Sequence, residues 1–239
     1  MTSPYPKTVQ VSEVINTVKP GTPPQRPSLS RSRRIIAWAS AITLAALVSG
    51  FVLWPGTPLD LGVGNQMESA GVYRHWKSGE VIALVRHAER CDRSANPCLG
   101  PADGITQLGS TTSSGLGRAF RSLGLETTDI VSSPATRTRQ TADLMFNQAV
   151  PTQDWLLNCG ADFGDVIKAH KNARRNLVLV THSDCISDLE SQLGFEHALH
   201  SKYNSSLFVT QNSDGTLHIL GTISAEDWQQ AIEHSPTNL

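Results

Sequence analysis

The chain carries almost no net charge. Its 239 residues include 20 Lys and Arg against 21 Asp and Glu, which gives a formal net charge of −1 at pH 7. A protein without a basic surplus has no global positive field to concentrate polyanions around it. The composition gives no indication of nucleic-acid binding, and we predict none.

Cysteine is scarce, and its spacing does not fit a metal site. The chain has four cysteines, none of them in a C-x2-C pair, and no compact cluster combines cysteine with histidine. Structural zinc sites require closely spaced ligands of these types. The sequence therefore predicts no metal centre.

Charged residues are missing from residues 35–54, a run of twenty that reads IIAWASAITLAALVSGFVLW. At 1.5 Å per residue, a helix of this length rises about 30 Å, which matches the hydrocarbon core of a bilayer. We therefore expect a transmembrane helix from Ile35 to Trp54. A buried core helix is the alternative.

Arginines flank only one end of this apolar run. Arg31, Arg33 and Arg34 precede it, and no lysine or arginine follows before Arg74. Because positive charge stays on the cytoplasmic side, the N-terminus is expected in the cytoplasm and the rest of the chain outside. The run exceeds the usual core of a signal peptide and no clear A-x-A site follows, which favours an uncleaved anchor over a removed signal.

Composition divides the remainder of the chain into three parts. Residues 1–34 are rich in Pro, Ser and Thr, bury too little apolar surface to offset the entropy of ordering, and are predicted to be a disordered cytoplasmic tail. Residues 55–77 mix Gly, Pro and polar residues and are predicted to be a linker. Residues 78–239, about 160 in number, have the size of a single domain.

Three predicted strands in this domain are followed by residues that can bind anions. The strands are Val81–Val85, Asp129–Ser132 and Leu177–Thr181. Arg86 and His87 follow the first strand, and His182 follows the third. After the second, Ser133-Pro134 suit the N-cap and first position of a helix that carries Arg137 one turn in. Because parallel strands bring their carboxyl ends to one edge, we expect these four side chains to meet there.

Helix and strand patterns alternate along the domain. Apolar residues recur at helical spacing after the predicted N-cap Thr106 as far as Gly124, and again over Phe163–His170. Residues 207–210 and 217–220 predict a closing β-hairpin. The alternation is typical of the α/β class, here a three-layer α/β/α sandwich with a mostly parallel sheet and one antiparallel edge.

Three motifs in this order resemble a known family. They read LVRHAE at residues 84–89, SSPATRTRQTA at residues 132–142 and VTH at residues 180–182. Their order and spacing resemble the three signatures of the histidine phosphatase superfamily. The run from Arg86 to Cys98, continuing through Gly104-Ile105-Thr106, is similar to the lipopolysaccharide core heptose(II)-phosphate phosphatases. The likeness covers roughly residues 81–193.

The resemblance implies a nucleophile and three phosphate ligands. His87 would attack phosphorus and form a phosphohistidine that water then hydrolyses. Arg86, Arg137 and His182 would hold the non-bridging oxygens, with no metal and no cofactor. A nucleophilic imidazole must be unprotonated at the attacking nitrogen, while its other N–H is held by an acceptor.

The general acid is open at this point. A sugar alkoxide leaves poorly unless a proton reaches the bridging oxygen. Many family members place Glu after a Leu-Asn pair, where this chain has Cys159, or Asp directly after the second histidine, where it has Ser183. Four carboxylates remain, of which the first two are our leading candidates: Glu89, Asp162, Asp165 and Asp184. Glu89 is equally suited to bind an arginine as a structural partner.

Three other arginines lie near these motifs. Arg90 and Arg93 either extend the phosphate patch toward an anionic substrate or are solvated loop residues. Arg139 lies two positions from Arg137, hence on another face of the helix, and is not expected to bind phosphate.

The four cysteines fall at positions that resemble the subfamily. In an exported domain they suggest two disulfides, for which three pairings exist. Cys91 and Cys98 would close a short loop. Cys159 and Cys185 would then tie the acid-position loop to the segment after His182. Free buried thiols are the alternative.

By resemblance, we expect a metal-independent phosphomonoesterase in the periplasm. It would be anchored in the inner membrane through Ile35–Trp54, or soluble if that segment is cleaved. The expected substrate is a phosphorylated sugar, namely phosphate on a heptose of the lipopolysaccharide core. The alternatives are another periplasmic sugar phosphate or polyphosphate, a phosphohistidine, and a phosphate-binding module without catalysis.

Overall fold

The computed structural model describes residues 31–52, 56–212 and 214–233. The predicted disordered tail, residues 1–34, lies outside these ranges except for its last four residues, which are helical. The chain divides into two units between residues 53 and 54. Each unit is described by itself below.

The first unit contains one described helix, α1, from Arg31 to Val52. Within the part of the chain that the structure describes, no helix combines the length and apolar character that crossing a bilayer requires. The transmembrane helix predicted for residues 35–54 is therefore not confirmed, and its last two residues lie outside the described ranges.

The described residues of the second unit contain five strands and seven α-helices. The strands are β1 (Val81–Arg86), β2 (Thr128–Ser132), β3 (Asn176–Thr181), β4 (Ser206–Gln211) and β5 (Leu217–Ile223). The helices are α2 (Gln66–Ser69), α3 (Val72–Lys77), α4 (Gln107–Leu123), α5 (Thr136–Phe146), α6 (Phe163–His170), α7 (Ser183–Gln192) and α8 (Trp228–Glu233).

The five strands form one mixed sheet in the order β2-β3-β1-β4-β5. β3 pairs in parallel with both β1 and β2, whereas β4 pairs antiparallel with both β1 and β5. Four strands therefore share one direction. The antiparallel strand is β4, one position in from the edge, and not the edge strand that the sequence predicts. The hairpin explains the difference, because its second strand, β5, turns back and lies outside the first.

Helices cover both faces of this sheet. β1 is central, and all five residues of its apolar run are fully buried, as expected for a strand packed on both sides. Val81, Ala83 and Val85 belong to a core with α3, α4, α5 and α8. Ile82 and Leu84 belong to a second core with α6 and α7. The α/β class and the three layers are confirmed.

Residues 61–77 differ from the predicted linker. They include α2 and α3 and contribute Leu61, Tyr73 and Trp76 to the first core. The Tyr73 hydroxyl donates to the carbonyl of Ala231 at 2.8 Å, and the Trp76 indole donates to that of Gly124 at 2.8 Å. Glycines and polar residues separate these apolar side chains in sequence, so the pattern does not show that they share one buried face.

The helix after β2 begins later than the sequence predicts. Its N-cap is Ala135, and Ser133 stays in the loop that precedes it. The Ser133 hydroxyl does not cap the helix because it bonds to His182 at 2.9 Å. By contrast, α4 begins as predicted, since the Thr106 hydroxyl accepts the N–H of Gly109 at 2.9 Å.

Candidate active site

The carboxyl ends of β1, β2 and β3 bring the predicted side chains to one edge of the sheet. His87 follows β1, His182 follows β3, and Arg137 lies in the first turn of α5 after β2. The two imidazole rings are 5.5 Å apart between centroids. Arg137 lies between them and donates to both rings. Three parallel strands thus build one cationic cluster.

The His87 ring is oriented by its own backbone. Its Nδ1 lies 2.8 Å from the carbonyl of Ala88, so Nδ1–H donates there and leaves Nε2 unprotonated. Nε2 accepts from Nε of Arg137 at 3.3 Å. Burial, together with the charges of His182, Arg137 and Arg86, lowers the pKa of His87 to about 3. His87 is therefore neutral at physiological pH, with a free lone pair.

One hydroxyl connects the orientation of His87 to that of Arg137. Thr141, on α5, accepts the N–H of Ala88 at 2.9 Å and donates to the carbonyl of Arg137 at 2.7 Å. Ala88, whose carbonyl fixes the His87 tautomer, is thereby tied through its N–H to the helix turn that carries the guanidinium.

His182 is held between a guanidinium and a hydroxyl. Arg137 donates to its Nδ1 at 3.2 Å, so the ring proton lies on Nε2, which donates to the hydroxyl of Ser133 at 2.9 Å. Burial, followed by the charge of Arg137, lowers the pKa of His182 to about 4. An incoming phosphate dianion would oppose this shift, because it stabilises the protonated ring.

Arg86 is fixed by an aromatic ring and a carbonyl. Its guanidinium carbon lies 4.0 Å from the centre of the Tyr203 ring, and it donates to the carbonyl of Ser201. Its Nε is buried and has no hydrogen-bond partner among the described residues. An unsatisfied buried donor beside a nucleophile is suited to an anionic ligand.

These side chains line a cavity of about 280 Å³. Its wall contains both histidines, one carboxylate, Asp184, and four arginines: Arg86, Arg90, Arg93 and Arg137. Guanidinium groups pair bidentately with phosphate oxygens. The charge of the cavity lining is therefore suited to a phosphate.

No family model matches the chain. Curated relatives do: the lipopolysaccharide core heptose(II)-phosphate phosphatases of Salmonella newport and Salmonella typhimurium are each 29% identical to it over 164 residues, covering 66% of this chain and 78% of theirs. The chain therefore resembles the histidine phosphatases in sequence, and by that likeness it is a phosphoric monoester hydrolase of the histidine phosphatase type.

Solved structures show the same fold. The protein histidine phosphatase SixA complexed with tungstate superposes with a TM-score of 0.51 at 15% identity, covering 62% of this chain and 98% of that one. Phosphoserine phosphatase from Entamoeba histolytica superposes with a TM-score of 0.50 at 13% identity, covering 62% and 98%.

Glu89 of this histidine phosphatase lies outside the cavity lining. Its carboxylate accepts hydrogen bonds from Thr106 at 2.7 Å, Asn96 at 2.9 Å and Ser94 at 3.0 Å. These bonds, that from Thr106 foremost, lower its pKa. Glu89 thus holds the loop that follows β1 and is kept ionised.

The other candidates for the general acid differ in whether they line the cavity. Asp162 and Asp165 are exposed at the start of α6 and do not line the cavity, and Asp165 pairs with Lys168 at 2.6 Å. Asp184, in the first turn of α7, lines the cavity beside His182. Of the four carboxylates considered, Asp184 alone lines the cavity.

Two disulfides surround the site. Cys91 bonds to Cys98, and Cys159 bonds to Cys185, with Cα–Cα distances of 5.2 and 5.0 Å. Cys159 and Cys185 both line the cavity. In this histidine phosphatase the residue at the expected glutamate position therefore braces the wall.

Ser133 and Tyr203 are site residues that sequence reasoning missed. The sequence predicts a helix cap at Ser133, although a serine just before the Arg137 helix also indicates a polar loop at this edge. Tyr203 precedes β4, and an antiparallel strand begins where parallel strands end. The loop before β4 therefore reaches the phosphatase site, and no local sequence pattern reports that.

Proposed function

We propose that the chain hydrolyses phosphate monoesters through a phosphohistidine at Nε2 of His87. One observation carries the proposal: Nδ1–H of His87 is committed to the carbonyl of Ala88, which leaves Nε2 free beside Arg137. An unprotonated imidazole among fixed cations is a nucleophile for phosphorus that needs no further activation.

In the first step, the Nε2 lone pair attacks phosphorus and the bond from phosphorus to the ester oxygen breaks. Arg86, Arg137 and protonated His182 neutralise the three equatorial oxygens. In the second step, water attacks phosphorus, the P–N bond breaks, and orthophosphate leaves. His87 thereby returns to its neutral state.

We propose Asp184 as the proton donor, in place of Glu89 and Asp162. Its protonated carboxyl would give a proton to the departing alkoxide in the first step, and its carboxylate would take one from water in the second. Its support is position: it lines the cavity at the first turn of α7, two residues from His182.

We propose phosphate on a lipopolysaccharide core heptose as the substrate. Its support is the printed name of the curated relatives, which are 29% identical to this chain. The four arginines of the cavity agree with a phosphorylated, anionic substrate.

We propose that the domain works in the cell envelope, on the periplasmic side of the inner membrane, with residues 35–54 as its anchor. Two disulfides support an oxidising compartment. A reporter active only in the periplasm, fused after Leu239, should be active. Membrane fractionation then separates an anchored chain from a released one, and an inactive fusion would contradict export.

The test of the reaction uses the full-length chain and purified lipopolysaccharide that carries core heptose phosphate. Phosphate should be released in the presence of EDTA, and a quenched reaction should contain acid-labile, base-stable phosphoprotein. His87→Ala should abolish both signals. His218→Ala, a change of an exposed imidazole on β5, should keep both.

Three results would contradict the proposal. Turnover by His87→Ala would exclude His87 as the nucleophile. Activity lost to EDTA would indicate metal chemistry. Phosphate binding without release from any monoester would indicate a non-catalytic module. Asp184→Asn tests the acid: it should slow esters with poor leaving groups far more than p-nitrophenyl phosphate, whose leaving group needs little protonation.

A further inference from the structure

The cavity contains more arginines than one phosphate requires. Arg86 and Arg137 are held against Tyr203, His87 and His182. Arg90 and Arg93 enter the wall from the loop after β1. Neither donates a hydrogen bond to the two histidines among the described residues. The cationic wall therefore extends from the nucleophile to this loop.

The loop that carries these two arginines is fixed at several points. The Cys91–Cys98 disulfide closes it, and the Glu89 carboxylate accepts from Ser94 and Asn96 within it. Arg90 donates to Asp92 through Nε at 2.8 Å and through a second nitrogen. A site held this way loses little conformational entropy when it binds a ligand.

Arg93 differs from its neighbour in having no ion pair. Arg90 is paired with Asp92, whereas the Arg93 guanidinium forms no salt bridge with any residue that the structure describes. Arg93 is exposed at the rim, so its guanidinium is free to bind an anion that comes from outside the chain.

The arginines also act on one another. After burial, the charge of Arg90 is the next cause of the lowered pKa of Arg137, and Arg93 contributes in the same direction. The same two charges lower the pKa of Arg86. Negative charge placed at the loop would relieve this repulsion.

We propose that Arg93 and Arg90 form a second anion subsite, so that the preferred substrate is a phosphate monoester whose leaving group bears another anionic group, either phosphate or carboxylate. This inference rests on the proposed function. His87, Arg86, Arg137 and His182 take the phosphate that is transferred. The second anion binds at the rim, on the leaving-group side, and Asp184 lines the same cavity.

Three sugar phosphates test the subsite on the full-length chain. Glucose 1-phosphate has no second anion, glucose 1,6-bisphosphate has a phosphate, and glucuronic acid 1-phosphate has a carboxylate. Charge-assisted contacts of this kind should raise kcat/KM for one or both sugars that carry a second anionic group by roughly tenfold or more over glucose 1-phosphate, mainly through KM. Preference for the bisphosphate alone assigns a phosphate subsite, and preference for the glucuronate alone assigns a carboxylate subsite.

In Arg93→Gln, kcat/KM for the preferred sugar with a second anionic group should fall close to kcat/KM for glucose 1-phosphate. Arg139→Gln is the matched control, because Arg139 is exposed and does not line the cavity, and it should keep the wild-type ratio. Equal kcat/KM for all three sugars in the wild type would overturn the proposal. A ratio that is the same in Arg93→Gln as in the wild type would overturn it too.

Binding to the inactive protein separates this inference from the proposed reaction. Calorimetry with His87→Ala should give a dissociation constant for the preferred sugar with a second anionic group roughly tenfold below that for glucose 1-phosphate. The double variant His87→Ala/Arg93→Gln should lose the difference. If no substrate is hydrolysed, the proposed function fails, and these two constants still decide whether the subsite exists.

Discussion

The state of each imidazole is set by single hydrogen bonds. The carbonyl of Ala88 assigns the His87 proton to Nδ1, and Arg137 assigns the His182 proton to Nε2. Both rings have strongly lowered pKa values, so the empty site is neutral at its two histidines and positive at its arginines. Neighbours that hold these rings should therefore affect the rate without touching phosphorus.

Ser133→Ala tests the neighbour of His182. Losing the acceptor of Nε2–H should lower kcat about tenfold, since a buried hydrogen bond is worth roughly 1–3 kcal/mol and 1.4 kcal/mol corresponds to a factor of ten. Thr128→Val is the control, because this buried hydroxyl lies at the other end of β2 and has no partner among the described residues. Equal kcat values for the two variants would rule out a positioning role for Ser133.

Glu190→Gln tests a buried carboxyl on α7. Glu190 is 3% exposed, its Oε2 has no partner among the described residues, and burial raises its pKa to about 7. The unfolded chain releases this proton from about pH 4.5, so the stability that Glu190 contributes is complete below that pH and is lost as the pH rises through 7.

The substitution should therefore stabilise the protein at alkaline pH. Urea unfolding at pH 8.5 should show Glu190→Gln more stable than the wild type by roughly 2 kcal/mol, with a much smaller difference at pH 4.5. The same difference at both pH values would mean that Glu190 does not titrate in this range.

At the level of elements, close packing and strand direction place the site. β4 runs opposite to β1, so the loop that precedes it brings Tyr203 and Ser201 to Arg86. On one face of the sheet, α4 packs directly on the backbone of α5, the helix that carries Arg137. The position of Arg137 thus depends on how closely these two helices approach.

Two glycines of α4 test this approach. A Cβ on Gly117 would lie 1.8 Å from the carbonyl oxygen of Met145, whereas a Cβ on Gly115 would meet only the flexible end of Arg118 at 3.6 Å. Gly117→Ala should lower the free energy of unfolding by about 3 kcal/mol or more, because backbone has to move. Gly115→Ala should raise it by about 0.5–1 kcal/mol through helix propensity. Denaturant unfolding measures both, and a tolerated Gly117→Ala would mean that α4 and α5 are not in close contact.

At the level of the whole molecule, the site concentrates positive charge that folding alone does not neutralise. Four guanidinium groups line one small cavity in a chain whose formal net charge is −1. A ligand that binds this cluster in the folded state and not in the unfolded chain must stabilise the fold.

Orthophosphate should therefore raise the free energy of unfolding by about 2.7 kcal/mol at a concentration one hundred times its dissociation constant. Arg137→Gln should remove most of this effect, and Arg139→Gln should keep it. Thermal unfolding across a phosphate titration measures the difference. An equal response from all three proteins would place the bound anion elsewhere.

Local sequence determined the elements and the identity of the cluster. The runs that become β1 and β3 are apolar throughout because both faces of these strands are buried, and such runs end where ligands bind. Thr106 and Gly124 mark the ends of α4 by their own backbone and side-chain preferences. The sequence therefore identifies the four residues of the cluster: Arg86, His87, Arg137 and His182.

Only the tertiary structure decided the parts that depend on distant contacts. Residues 61–77 pack into the core, Ser133 bonds to His182 instead of capping α5, and the β4 hairpin puts its antiparallel strand inside the sheet. Asp184 lines the cavity, whereas Glu89 and Asp162 do not, because distant contacts decide which loops meet there. Burial, strand direction and hydrogen-bond partners across the sheet join residues far apart in the chain, and no local pattern encodes them.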